Sequence, residues 1–180
     1  MADVGVRLAI PEDADELARI QAAVWADVHA GALPADLLEA VGSAEAADRW
    51  RSAIIAPPSP RHRVLTALDG DRLVGFAALA PSADPDTEPD RDGELLALCV
   101  DPEASGAGHG SRLVNAVADI GREDGYQYLH TWLAAAEGDL RAFLVGAGWD
   151  DDGATRSLDL RGDGDVVVEQ TRLRTALVDP

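Results

Sequence analysis

The chain has 180 residues, 47% of them apolar, and 33 acidic side chains against 15 basic ones, a formal charge of −18 in which every cation is an arginine. One domain, residues 1–180, with an aliphatic core fits that length. An acidic chain without a basic footprint excludes a nucleic-acid partner, and the lack of lysine excludes self-acetylation on lysine.

Val6–Ala9 reads as a strand, and Pro11-Glu12-Asp13 opens a helix carried by Ala14, Leu17, Ile20 or Gln21, and Val24. Gly31-Ala32-Leu33-Pro34 breaks it, and Ala35–Val41 and Ala44–Ile55 follow as two more helical stretches. Arg63–Leu68 and Arg72–Ala80 flank Asp69-Gly70-Asp71 as an antiparallel hairpin. Ser82–Gly93, rich in Pro and Asp, reads as an exposed loop. Its tail, Glu88-x-Asp90-x-Asp92-Gly93, has Cys99 where a calcium loop needs a bidentate Glu. Glu94–Val100 is the next strand, Gly108–Glu123 an amphipathic helix, and Gln127–Leu133 a strand parallel to the first through a right-handed crossover. After the helix Asp139–Val145, Thr155–Leu160 and Val166–Arg174 close the sheet around Arg161-Gly162-Asp163, a turn rather than an adhesion motif without a secretory signal.

The opening residues lack the basic region and apolar run of a secretory leader, and no stretch approaches the ~18 apolar residues of a membrane span. No membrane association and a reducing cytoplasm are therefore expected. The single Cys99 lies in an apolar strand, as a packed thiol does. No His or Cys pair has metal-ligand spacing, so no metal is expected.

Ser105-Gly106-Ala107-Gly108-His109-Gly110-Ser111 lies between a strand and a helix. Small residues there let the main chain approach a ligand, and the helix aims its unpaired N–H groups at it, so the turn suits a phosphate or pyrophosphate. A P-loop would need Gly-Lys-Ser/Thr, and a dinucleotide fold would need G-x-G-x-x-G; Gly106-x-Gly108-x-Gly110 is neither. His109, the variable position of the turn, is expected to point to solvent.

Val100-Asp101-Pro102 followed by Gly108-His109-Gly110 resembles the GNAT N-acetyltransferases, whose motif runs strand, V-x-P, then Arg/Gln-x-x-Gly-x-Gly/Ala at the head of a helix. Ser105 stands where that family has Arg or Gln. Similarity extends from Val6–Val24 to Phe143–Trp149, which resembles the family's F-Y-x-x-x-G-F/W segment. The fold implied is a mixed α/β sheet, mostly antiparallel and twisted, with two splayed parallel strands and helices on both faces.

The resemblance implies acetyl-CoA as co-substrate, lying where Glu94–Val100 and Gln127–Leu133 splay apart. The backbone of Leu98, Cys99 and Val100 would pair with its pantetheine arm, and Ser105, Gly106, Ala107, Gly108, His109, Gly110 and Ser111 would hold its pyrophosphate. Transfer to an amine needs a base to take the nitrogen's proton. Glu94 resembles the family's strand glutamate, and a carboxylate partly withdrawn from water there gains basicity; a solvated strand-end acid is the other reading. His130 alternates with Leu129 and Thr131, and either faces the site as a second catalytic candidate or is a hydrogen-bonded core histidine. Leu144 matches the family's tyrosine, which protonates the departing thiolate, and Glu137 stands where an Asn is frequent. Trp25, His29 and Leu33-Pro34 resemble a segment beside the acceptor cleft, and with Trp50 they form either an aromatic wall for the substrate or helix packing.

Expected, then, is an N-acetyltransferase moving an acetyl group from acetyl-CoA to a primary amine of a small molecule or peptide, by direct attack in a ternary complex. The alternative is an acyl-CoA-binding or regulatory relative with weak or no transfer, favoured by Leu144, Ser105 and Glu137. Whether the chain works alone or as a homodimer is open.

Overall fold

A computed structural model describes residues 4–177. Seven strands form one sheet in the order β1-β2-β3-β4-β5-β7-β6: β1 (Val4–Leu8), β2 (Arg63–Asp69), β3 (Arg72–Pro81), β4 (Asp92–Val100), β5 (Tyr128–Ala134), β6 (Asp150–Asp159) and β7 (Val167–Ala176). All pairings are antiparallel except β4 with β5, and the expected mixed, mostly antiparallel sheet is the one found.

Two apolar cores sandwich it. On one face α1 (Ala14–Val28) and α3 (Ala44–Ile55) bury Leu17 and Ile20 against Phe76 and Cys99, joined by Trp50 and Ile54; α2 (Ala35–Val41) packs on both helices. On the other, α4 (His109–Glu123) sets Leu113 and Val117 against Leu65, Ala77 and Leu95, and α5 (Gly138–Gly146) adds Leu144. Leu113 and Val117 are fully buried at i and i+4, the spacing of one helical face.

The feature that shapes the molecule is a bulge in β4. Ala78 pairs with Ala97 and Leu79 with Leu95, so Leu96 is an extra residue outside both neighbouring ladders. An extra residue breaks the two-residue alternation of a strand. Before it, Leu95 faces the α4 core; beyond it Leu98 and Val100 face that side, and Ala97 and Cys99 turn toward α1. The parallel pairing with β5 covers only Asp92–Glu94 against Tyr128–His130. At that short contact a Cβ on Gly93 would come within 2.8 Å of Leu129 and Tyr126 side-chain atoms, so only glycine lets the strands meet. Past it they diverge.

Two segments depart from expectation. Ser82–Gly93 is not simply exposed: Ser82 and Asp92 are buried, β4 starts at Asp92, and Arg172 holds the segment down through Asp84 at 3.2 Å and Asp86 at 2.7 Å. The last hairpin starts at Asp150 rather than Thr155. Consecutive aspartates are poor strand formers, but Asp151 pairs with Arg141 at 3.2 Å and Asp152 with Arg172 at 2.7 Å. Among the described residues, no helix is long and apolar enough to cross a membrane, and no group of three or more His, Cys, Asp or Glu side chains is arranged for a metal.

Candidate active site

The site begins at the end of β4. The buried Asp101 carboxylate accepts from Arg19 of α1 at 2.6 Å, from Arg72 of β3 at 2.9 Å and from the Glu103 N–H at 3.1 Å. Burial opposes its ionisation, but these hydrogen bonds outweigh burial and hold the carboxyl below the usual carboxylate range. With Pro102 fixing the next residue, Asp101 anchors the chain where it turns toward α4.

Gly106 and Gly108 have φ of +78° and +83°, in the left-handed region, and Gly108 is the N-cap of α4. This aims the first turn of the helix outward. Among the described residues, no acceptor is found for the N–H groups of Gly106 to Ser111. They border a cleft of about 360 Å³ whose walls are Leu98, Val100, Leu140 and Phe143. Six free donors, the positive end of a 15-residue helix and apolar walls suit a pyrophosphate with an extended arm.

The guanidinium of Arg112 lies over this turn. Its Nη1 donates to the Ala107 carbonyl at 3.2 Å, and its atoms stand 3.7–3.9 Å from where a Cβ on Gly108 would project. Ser105 is exposed. Arg112 escaped the motif comparison, although its position four residues beyond Gly108 puts it one helical turn away on the same side. His109 is a correction. Instead of pointing to solvent it is buried, 3% exposed, with neither ring nitrogen bonded among the described residues. It heads the stripe His109, Leu113, Val117, and helical periodicity turns it inward.

Beyond Leu98 and Leu140 the first cleft runs into a second, of about 460 Å³, opened by the divergence of β4 and β5. At the fork stand Glu94 and His130, paired across the parallel strands. Glu94 is buried and lines the cleft; its Oε2 lies 3.8 Å from His130 Nε2. That nitrogen is also 3.3 Å from Asp84 Oδ2 and 3.3 Å from Ser82 Oγ. Asp84 accepts from Trp132 Nε1 at 2.8 Å and Arg172 Nη1 at 3.2 Å. The structure thus brings together a carboxylate at the cleft, an imidazole behind it and a second, well-held carboxylate. Ser82 and Asp84 have no local sequence signature, because only the folded-back loop puts them there.

Across the cleft the Trp25 and His29 rings meet at 5.1 Å between centroids with their planes tilted by 59°, and both line it. Trp50 does not. Its ring meets Phe76 edge-on at 5.0 Å and its indole N–H donates to Gln21 at 3.0 Å, inside the α1–α3 packing. A helix seated over β2 and β3 cannot bring it to the β4–β5 fork; it steadies Gln21, which does line the cleft. Burial pushes the Cys99 thiol up to about 12, so it packs rather than reacts. Burial also raises the Glu137 carboxyl, partly offset by the Ala134 N–H that its Oε2 accepts at 2.7 Å and by His29. Leu144 is fully buried in the same wall.

Residues 25–145, more than half of the chain, match the family model described as acetyltransferase (GNAT) family, and the chain belongs to that family. It is 35% identical over 123 residues to the mycothiol acetyltransferase of Rhodococcus opacus (strain B4), covering 63% of this chain and 37% of that protein. It is 36% identical over 132 residues to that of Rhodococcus jostii (strain RHA1), covering 68% and 41%. The chain thus spans about two fifths of these relatives' length. In fold it is similar to the PaiA N-acetyltransferase of Thermoplasma acidophilum in complex with coenzyme A, with a TM-score of 0.77, 18% identity and coverage of 97% and 99% of the two chains. It is also similar to YncA of Salmonella typhimurium with its cofactor acetyl-CoA, with a TM-score of 0.73, 16% identity and coverage of 98% and 95%.

Proposed function

We propose that the chain is one acyltransferase domain that moves an acetyl group from acetyl-CoA to a primary amine of a small molecule or peptide, by direct attack in a ternary complex. The observation that carries this reading is the continuity of the two clefts. A row of free N–H groups leads past Leu98 into the gap between β4 and β5, and the gap ends at Glu94 and His130. Glycines with positive φ and unpaired amides fit a pyrophosphate, and the open edge of β4 from Ala97 to Val100 fits an extended amide-bearing arm. Arg112 supplies the charge that Ser105 cannot. Acetyl-CoA bound there would supply an activated acyl group; the chain orients it and manages the protons.

Glu94 takes the amine proton, directly or through a water, and His130, whose Nε2 faces Asp84 and Ser82 at 3.3 Å, stands behind it. The acceptor cleft is lined by Asp27, Glu94 and Asp139 against one arginine, Arg156. This balance favours a cationic acceptor. The names of the Rhodococcus relatives place mycothiol-type acceptors among those worth assaying.

The second reading, a CoA-binding relative with little transfer, is favoured by the absence of a hydroxyl at Leu144. Acetyl-CoA binding by calorimetry and CoA release across a panel of amines, measured on the same preparation, separate the two. Binding with amine-dependent release supports transfer; tight binding without release from any amine supports the second reading.

A further inference from the structure

Proton balance exposes a gap. When the amine nitrogen forms its bond to the acetyl carbon and the C–S bond breaks, the bonding pair leaves on sulfur, and Glu94 holds the proton lost by nitrogen. Sulfur must then be protonated. Leu144, where the family pattern has a tyrosine, offers no proton, and Cys99 is packed toward α1. We propose that Glu137 is the proton donor to the departing CoA sulfur, standing in for the hydroxyl absent at Leu144.

The inference rests on the transfer reading and on three observations. Glu137 lines the cleft in the wall that also carries Leu140 and Leu144, and Leu140 is shared with the cleft of the glycine turn. A ligand passing from the turn to the fork therefore passes this wall. The side chain is held in place by a capping contact with the backbone three residues before it. Its Oε2 is fixed by the Ala134 N–H at the end of β5, which leaves Oε1 to carry a proton. His29 faces it from α1 and Cys99 from β4, and Asp27, Glu94, Asp139 and Arg156 line the same cleft. Burial favours the protonated acid there, and a negative charge developing on sulfur beside it favours that form further.

The step balances. For the acceptor in its neutral form, the Glu137 O–H proton passes to sulfur and yields the CoA thiol while Glu94 takes the proton that nitrogen loses as its bond forms; an ammonium acceptor has first passed its extra proton through Glu94 to water. Exchange through water then restores both carboxyls. Glu94 and Glu137 thus serve as base and acid on the walls of one cleft.

The test uses Glu137→Gln, which keeps an oxygen for the Ala134 N–H and removes the acid. With CoA alone bound, the thiol is titrated by its thiolate absorbance. In the wild-type protein it should titrate about one pH unit higher than in the variant, because a carboxylate beside it disfavours the thiolate. With an active amine, kcat should fall by about 10²-fold with KM for acetyl-CoA little changed. The wild-type loss of rate at alkaline pH should vanish, and adding Leu144→Tyr to the variant should restore much of the rate. Equal thiol titrations and equal kcat in a folded variant overturn the assignment while leaving the transfer reading intact. Failure of the wild-type protein to release CoA with any amine overturns both. If Glu137→Gln does not fold, the wild-type titration decides alone: a bound thiol that ionises as readily as free CoA overturns the proposal.

Discussion

Gly108 and Arg112 show how one turn divides its work between main chain and side chain. Gly108 has φ of +83°, which a β-branched side chain adopts only with strain, and any side chain would enter the space under the Arg112 guanidinium. Gly108→Val should weaken acetyl-CoA binding at least tenfold with the fold retained. Arg112→Ala should weaken it less, by about threefold to tenfold, with an effect that fades as salt is raised because an exposed charge is screened. Calorimetric titration at two ionic strengths checks both, and Ser105→Arg should tighten binding if position 105 reaches the ligand. Glu94→Gln should lower the rate most at moderate pH and recover in part at high pH, where more of the amine is already neutral. Superimposed pH–rate curves would remove Glu94 from the base role. The glycine turn was legible because its spacing is local, whereas Glu94 was a candidate only through its likeness to the family's strand glutamate. Asp84 and Ser82 were not legible, since a loop without periodicity brings them to His130. His109 was misplaced because a side chain's direction depends on which face of its helix is buried, and for Trp50 the same physics selects helix packing over the aromatic wall.

At the level of elements, the bulge at Leu96 decides which face every later residue of β4 presents, and nothing in Leu95-Leu96-Ala97-Leu98 marks it. An unbroken apolar run reads as a strand either way. The helices, by contrast, were legible almost to the residue, since α2 and α3 are bounded by Pro34, Gly42 and the Ser43 cap, whose hydroxyl accepts the Ala46 N–H at 3.2 Å. Asp101 tests the joint between elements. Asp101→Ala removes the common partner of α1, β3 and the turn, and should cost about 2 kcal/mol in urea unfolding. The sign with pH follows from its depressed folded pKa. Its contribution is complete above the unfolded value, near pH 4, and is lost as pH falls through the lower folded value. Stability of Asp101→Ala should therefore fall less steeply than wild type over that acid window, measured by urea titrations at successive pH values.

For the molecule as a whole, the expected class and sheet follow from the resemblance carried by Val100–Gly110, with which the strand and helix spans from Arg63 to Leu133 agree. The short contact between β4 and β5 has a mechanical consequence. Among the described residues, three residue pairs, with the Arg91 carbonyl accepting from the Gln127 and Tyr128 N–H groups beside them, make the main-chain ladder between the wing β1–β4 and the wing β5–β7, and side-chain packing in the α4 core carries the rest of that seam. A ligand arm laid in the gap would act as a guest strand and clasp the wings together. Hydrogen exchange should therefore be fast at the gap-facing amides of Ala97–Val100 and Thr131–Leu133 compared with β2 and β3, and should slow there on adding CoA. In that behaviour the molecule is like a book whose spine is completed by what it holds.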